Sequence, residues 1–367
     1  MKANARNLLV AGGGTGGHVF PAIAVAQEWL RRAQRGASEG ERSVVFVGTE
    51  RGLESKLVPQ AGLPLELIRV AGLKGIGGMK LLRNAAMLPA GLWDSERILR
   101  RCHFLAAFGV GGYASGPMML LARMHSIPSV IFEPNAVPGL TNRILSRFAT
   151  RIACGFDHTA SLFGPKAAAT GVPVRREFFA ASRKDRRQPF TLLVTGGSQG
   201  SLAINRAVVD SLDLLAARRN QLFIVHQTGE RDYNAIRVAY ARRKYQAEVI
   251  PFIENMAERF AQADLIVCRS GAITVAEVSA AGRAAIFIPF GAATDAHQMR
   301  NAEAMQAAGA ARIVPQDQLT PERLTSEICS LLDQPQRIAD MENRARSLAR
   351  PRAVEDIVDL LEQVARI

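Results

Sequence analysis

Short apolar runs recur along the chain, most of them followed within two or three residues by glycine, serine or proline. In the first half they are Asn7–Val10, Ser43–Val47, Leu65–Val70, Phe104–Phe108 and Ser129–Phe132. In the second half they are Phe190–Val194, Leu222–His226, Ala247–Pro251, Leu265–Cys268 and Ala284–Pro289. Runs this short and this continuously apolar predict strands buried on both faces, as in a parallel sheet. The segments between them read as helices: Val19–Arg32, with Pro21 in its first turn, Leu202–Leu215, Ala272–Ala281 and one starting at Asp295. Gly282 stands where a helix would end in the left-handed conformation. Val354–Val364 predicts a terminal amphipathic helix.

The pattern occurs twice. LLVAGGGTGG near the start is echoed by LLVTGGSQGS after Arg187, each a strand, a glycine turn and a helix. The echo predicts two Rossmann-like α/β halves. Thr170-Gly171-Val172-Pro173-Val174-Arg175 reads as the link between them. The expected domains are residues 1–172 and 173–349, with the last helix, 350–367, packing back on the first.

Composition narrows the class. The 367 residues suffice for two cores, and 48% hydrophobic against 22% charged content describes a globular chain. No apolar run is long enough to span a bilayer. The N-terminus enters a strand almost at once, with no apolar segment ahead of a cleavage site, which reads as cytosolic. Cys102, Cys154, Cys268 and Cys329 are scattered, which predicts reduced thiols and no zinc site. The net charge of +13 calls for an anionic partner. Nucleic acid is disfavoured, because aromatics are only 6% and do not alternate with the basic residues.

Candidate chemistry sits where strands hand over to helices, the place where open α/β sheets bind ligands. Ser270-Gly271 precedes a helix whose N-terminal N–H groups suit a diphosphate. Glu277 lies further along that helix, as a ribose ligand or as a solvated residue. Gln298 is a ligand, or it completes a capping box with Asp295. His18 ends the loop Gly12–Gly17 and is a base or a packing residue. A second glycine turn, GVGGYASGP, follows Phe108, and Glu133-Pro134-Asn135 ends another strand. Ala71–Trp93 sets Ile76, Met79, Leu81, Leu82 and Trp93 beside Lys74, Lys80 and Arg83, a core-facing helix or a membrane-facing surface.

Taken in order, GGGTGGHVFPAIAVA, GVGGYASGP, EPNAVPGLTNR, GVPVR, TGGSQGS, PFIENM and CRSGAITVAEVSAAG with DAHQMRNA resemble the MurG family of peptidoglycan N-acetylglucosaminyltransferases over nearly the whole chain. The resemblance implies the GT-B glycosyltransferase fold, two Rossmann-like domains facing an interdomain cleft. It implies transfer of N-acetylglucosamine, with inversion, from UDP-GlcNAc to the C4 hydroxyl of undecaprenyl-diphospho-N-acetylmuramoyl-pentapeptide (lipid I). The product would be lipid II, made at the cytoplasmic face of the inner membrane for cell-wall synthesis, with no cofactor and no metal. It places Thr15, Gly16, Gly17 and Asn135 at the donor sugar, and Arg175, Phe252 and Ile253 at the uracil. Ser198 goes to a phosphate oxygen, Gln298 to a sugar hydroxyl, and Ala272, Ile273, Thr274, Val275, Ala276 and Glu277 to the helix start and ribose. His18 and Glu133 become catalytic candidates, and Tyr113 an acceptor-side one.

Two departures stand out. Many members carry histidine where this chain has Phe132, so no base is available there. A pair of glutamines common in the family appears as His297-Gln298. An unperturbed imidazole, pKa about 6.5, makes His18 the expected base. The inferred step is a single displacement, with the developing charge on UDP held by helix and loop N–H groups. A UDP-GlcNAc epimerase and a diacylglycerol-type glycosyltransferase are the alternatives.

Overall fold

The computed structural model describes residues 6–33, 42–71, 87–180, 189–291 and 296–367. The chain forms two compact units, one of Met1–Pro173 with Arg352–Ile367 and the other of Val174–Pro351. The apolar runs are parallel strands in both, and Leu8–Ala11, Ala106–Phe108 and Leu265–Cys268 are fully buried.

Unit 1 has strands β1 (Arg6–Ala11), β2 (Arg42–Gly48), β3 (Leu65–Leu67), β4 (Phe104–Gly109), β5 (Ser129–Glu133), β6 (Arg151–Cys154) and β7 (Ala167–Ala169). Its sheet order is β3-β2-β1-β4-β5-β6-β7. Helices α1 (Gly16–Ala33), α2 (Glu54–Gln60), α3 (Leu88–Arg101), α4 (Ser115–Met124), α5 (Leu140–Leu145) and α6 (Asp157–Phe163) connect them. After β1 the chain builds one side of the sheet, then crosses to β4 and builds the other. The C-terminal ends of β1 and β4 therefore flank the point where strand order reverses.

Unit 2 begins with α7 (Arg176–Phe179) and holds β8 (Phe190–Thr195), α8 (Leu202–Leu214), β9 (Leu222–Gln227), α9 (Tyr233–Arg242), β10 (Ala247–Ile250) and α10 (Met256–Gln262). It continues with β11 (Leu265–Cys268), α11 (Ala272–Ala281), β12 (Ala285–Phe287), α12 (Ala296–Ala307), β13 (Ala311–Ile313), α13 (Pro321–Leu332) and α14 (Pro335–Ser347). Its order, β10-β9-β8-β11-β12-β13, reverses between β8 and β11. Gly282 ends α11 in the left-handed region, φ 58°, as the glycine there predicts.

Some expected boundaries move. The helix expected from Val19 begins at Gly16, because the Thr15 carbonyl already accepts the N–H groups of His18 and Val19 (3.1 Å each). The third strand stops at Leu67, and the strand expected over Ala284–Pro289 is Ala285–Phe287. Asp295, and most of the Ala71–Trp93 segment including Lys74, Ile76, Lys80, Leu82 and Arg83, lie outside the described residues. Of the remainder, Leu92 packs on the core, whereas Trp93 is 71% exposed.

The last helix, α15 (Ala353–Ala365), lies on unit 1 against α1 and strands β4, β5 and β6. Ile357, Val358, Leu360 and Leu361 bury its apolar face. Its Glu362 bridges two arginines: Oε2 accepts from Arg32 and Oε1 from Arg42, each at 2.6 Å. The Arg42 side chain is almost fully buried and stacks on Trp29, 4.7 Å from the ring centroid. Hydrogen bonds to charged partners contribute about 1.5–3 kcal/mol. Glu362→Ala is therefore expected to lower the unfolding free energy by about 2 kcal/mol, read as a lower urea midpoint with an unchanged m-value.

Candidate active site

In unit 1 three strand ends meet so closely that side chains are excluded. A Cβ on Gly112 would lie 2.2 Å from the Gly13 carbonyl oxygen, and one on Gly13 would lie 2.2 Å from Glu54 Cδ. Both glycines have positive φ, which an L side chain rarely adopts. Backbone bonds lock the turns together: Gly12 N–H donates to Val47 O (3.1 Å), Gly13 N–H to Gly111 O (3.3 Å) and Val110 N–H to Ala11 O (3.0 Å).

His18 rises from the first turn of α1 onto this platform. A Cβ on Gly111 would stand 2.9 Å from its Cε1, so the ring packs closely against the glycine turn at the strand-order reversal. Its Nδ1 is buried without a hydrogen-bond partner. The ring retains some exposed surface, yet protein surrounds it closely enough to strip most of its hydration. Burial holds its pKa below the ordinary imidazole value, while Glu133, the Val110 backbone and Glu54 pull the other way. The unperturbed value expected from sequence is thus corrected downward, and at neutral pH the imidazole is unprotonated and free to accept a proton.

Glu133 is buried and its carboxylate is occupied. Oε1 accepts from the backbone and side-chain N–H groups of Asn135 (3.0 Å each), and Oε2 from Gly139 N (2.8 Å) and Asn142 Nδ2 (3.0 Å). That geometry fits Glu133 for holding the loop after β5 and for orienting Asn135. Thr15 and Tyr113 are exposed, and Gly16 and Gly17 form the open first turn of α1.

Unit 2 places its polar residues at the β8/β11 reversal. The side chain of Ser270 donates to Gln298 O (2.8 Å), and Asn301 Nδ2 donates to Ser270 O (3.2 Å). The turn before α11 is thereby fixed on α12, and no side chain caps the α11 N-terminus from Gly271. Ala272 and Val275 of the first turn are buried, whereas Ile273, Thr274 and Ala276 keep partial exposure. Gln298 Oε1 accepts from Phe290 N (3.0 Å), so the side chain ties the loop after β12 to α12. Ser198 and Phe252 are exposed on their loops, and Ile253 is buried. Arg175 precedes α7 and lies over the Phe178 ring at 5.2 Å.

Glu277 is partly accessible but poorly hydrated, and burial pushes its pKa up to about 7 against the opposing pull of Arg175. Arg269, absent from the sequence-based candidates, reaches the residue that ends the glycine turn, Ser201. It donates to Ser201 Oγ (2.7 Å), Gln316 Oε1 (2.6 Å) and Ile288 O (3.0 Å), and stacks on Phe290. All three acceptors are neutral, and burial lowers its pKa to about 10. It lines a cavity of about 550 Å³ with Gly196, Ser201, Arg206, Phe290 and Gln298. A half-buried cation paired only with neutral acceptors, beside the N-terminus of α8, favours an anionic ligand. The available signal was an arginine placed directly after a fully apolar strand. Glu54 was missed as well; its signal was a glutamate just beyond two glycines, Gly48 and Gly52.

Residues 8–154 match the glycosyltransferase family 28 N-terminal domain and residues 191–359 its C-terminal domain. A Pelobacter propionicus protein is 46% identical over 96% of this chain and 98% of its own length. Its name is UDP-N-acetylglucosamine–N-acetylmuramyl-(pentapeptide) pyrophosphoryl-undecaprenol N-acetylglucosamine transferase. The chain belongs to the MurG family of glycosyltransferases. The crystal structure of Acinetobacter baumannii MurG matches with a TM-score of 0.81 at 33% identity, covering 98% of this chain and 99% of that one. Its architecture is the GT-B two-domain fold. A putative UDP-N-acetylglucosamine 2-epimerase from Listeria monocytogenes matches at TM-score 0.71, covering 98% of this chain and 96% of that one. At 11% identity that likeness shows the shared fold alone.

The raised Glu277 pKa carries a sign. The folded state prefers the protonated acid, so this group's stabilising contribution is complete below the unfolded carboxyl value, about 4.3, and is lost as pH rises through about 7. Glu277→Gln, which stays neutral, is expected to unfold with the parent at pH 4 and at a higher temperature than the parent at pH 8. Melting curves across that range check the crossover.

Proposed function

We propose that this chain transfers N-acetylglucosamine from UDP-GlcNAc to the C4 hydroxyl of the undecaprenyl-diphospho-muramoyl-pentapeptide, inverting the anomeric centre and releasing UDP. The observation that carries the reading is the 46% identity, over nearly both full lengths, to a relative named for that transfer. Unit 2 supplies the donor site in this reading. The α8 and α11 N-termini and Arg269 face the diphosphate, Ser198 a phosphate oxygen, and Glu277 the ribose hydroxyls. Arg175, Phe252 and Ile253 address the uracil, and Gln298 the sugar. Unit 1 supplies Thr15, Gly16, Gly17 and Asn135 for the donor sugar, with His18 and Tyr113 on the acceptor side.

His18 takes the proton as the acceptor oxygen attacks the anomeric carbon. The electron pair of the breaking bond leaves with the UDP β-phosphate oxygen, where oriented N–H groups and a cation stabilise it without reorganisation. Incubation with labelled UDP-GlcNAc and a short-chain lipid I analogue tests the function. Labelled disaccharide product supports it. Conversion of UDP-GlcNAc without acceptor would point to an epimerase, and transfer to diacylglycerol alone to the glycolipid alternative.

His18→Ala is expected to lose about 10²–10⁴-fold in kcat and to keep UDP affinity. Because burial lowers the imidazole pKa, the parent's acidic limb should fall below about pH 6.5, and the variant should lack it. A variant that keeps most of its kcat would remove His18 from catalysis.

The enzyme in this reading works at the cytoplasmic face of the inner membrane, held there peripherally. Among the described residues no helix is long and apolar enough to cross a bilayer. Helices α4 and α5 adjoin and expose Leu120, Met124, Leu140 and Ile144, followed by Phe148, beside the exposed Arg123, Arg143 and Arg147. Apolar side chains ringed by arginine suit an anionic bilayer, each cation adding about 1 kcal/mol near the surface. Replacing Met124, Leu140 and Ile144 by Gln should lower co-sedimentation with phosphatidylglycerol vesicles severalfold and leave turnover of a soluble acceptor analogue unchanged. Normal sedimentation of the folded variant would remove this face from the membrane contact.

A further inference from the structure

One buried carboxylate in unit 1 is used by none of these steps. Glu54, at the start of α2, is fully buried. Its Oε2 accepts from Gly14 N (2.7 Å), and its Oε1 accepts from Thr49 N (2.8 Å) and Thr49 Oγ1 (2.9 Å). The Gly14 peptide is gripped on its other side as well, since its carbonyl accepts from Leu53 N (3.4 Å). Space for the carboxylate is made by missing side chains. A Cβ on Gly52 would lie 2.0 Å from Oε2, one on Gly13 2.3 Å from the same oxygen, and one on Gly48 2.3 Å from Cγ. Gly48 and Gly52 lack the positive φ that would require glycine, so Glu54 is what crowds them.

We propose that Glu54 is a positioning residue for the transfer reaction, a clasp joining the turn after β2 to the glycine loop after β1 and so setting where the first turn of α1 presents Thr15, Gly16, Gly17 and His18. The proposal rests on the reading of that turn as part of the active site. Only three residues separate Gly14 from His18, so movement of Gly14 is transmitted directly to the imidazole. A displacement of about 1 Å at a reacting group costs up to about 10²-fold in rate. No apolar residue can replace the clasp, because two backbone N–H groups would lose their buried acceptor. Glutamine fails differently: with donors at both oxygens, one orientation sets its NH₂ against Gly14 N–H and the other against Thr49. Glu54 also adds negative charge near His18. It does so from α2, as Glu133 does from β5, and both oppose the effect of burial on the ring.

The test uses Glu54→Gln and Gly52→Ala in the full chain. Gly52→Ala leaves the carboxylate in place but drives a methyl group into it. Melting temperature, UDP affinity, kcat and the pH dependence of kcat are measured for both, beside His18→Ala. Both variants are expected to lose roughly ten- to hundredfold in kcat with UDP affinity within about twofold of the parent. The acidic limb of Glu54→Gln should move to lower pH, because a charge favouring protonated His18 is gone, whereas that of Gly52→Ala should move less. Folded variants with parental kcat overturn the proposal, as does a kcat loss matched in size by a loss of UDP affinity. If Glu54→Gln fails to fold, Gly52→Ala decides by the same two criteria. Should His18→Ala keep its kcat, the base assignment falls, while the clasp is still judged by the kcat of the other two variants.

Discussion

The platform under His18 depends on how closely three parallel strands deliver their turns to one place. Neighbouring strands in a sheet lie about 4.8 Å apart, so turns leaving β2, β1 and β4 on the same edge compete for the same volume. The chain resolves the competition by omitting side chains. Gly12 and Gly13 lie against Val110, Gly111 and Gly112, and the space opened on the other side admits the Glu54 carboxylate. Backbone N–H groups left without strand partners are then satisfied by neighbouring carbonyls and by that carboxylate. His18 can approach Gly111 this closely only because no side chain projects from the glycine.

Unit 2 solves the same topological problem with different chemistry. At the β8/β11 reversal the glycine turn is again pressed on its neighbour, with a Cβ on Gly200 falling 1.9 Å from the Thr228 carbonyl oxygen. The group inserted there is a cation, Arg269, rather than a carboxylate. The sign fits the division of labour proposed for the two units. A nucleotide diphosphate calls for positive potential and helix N-termini, whereas a hydroxyl nucleophile calls for an unprotonated imidazole, which burial favours at His18 against the weaker pull of Glu133 and Glu54. The epimerase likeness at 11% identity shows that this scaffold is shared. Function is then decided by what the strand ends carry.

The polar groups near the strand ends divide into those that hold turns and those left with capacity to act. Glu133 spends both oxygens on Asn135, Gly139 and Asn142, and Gln298 spends its carbonyl oxygen on Phe290. Glu277 and His18 are different: burial strips their water without supplying a full set of partners, and each is pushed toward its neutral form. Perturbation by burial in a strand-end cleft of this kind is characteristic of sites that do chemistry.

The sequence by itself determined the two α/β repeats, most strands to within a residue, the end of α11 at Gly282 and the family, because these depend on local signals. A strand buried on both faces must be continuously apolar, a left-handed helix end selects glycine, and ordered motifs survive as letters. It also singled out His18, Glu133, Glu277 and Gln298, since polar residues at strand ends are conspicuous among apolar runs. What each does was decided only by the tertiary structure. Whether a carboxylate is spent or spare depends on donors that arrive from other strands and loops, as Gly139 and Asn142 do at Glu133. Glu54 and Arg269 stayed hidden for the same reason. Each is forty or more residues from a group it holds, Gly14 for one and Ser201 for the other. Only the sheet order, which sets β2 beside β1 and β8 beside β11, brings those partners within hydrogen-bonding distance.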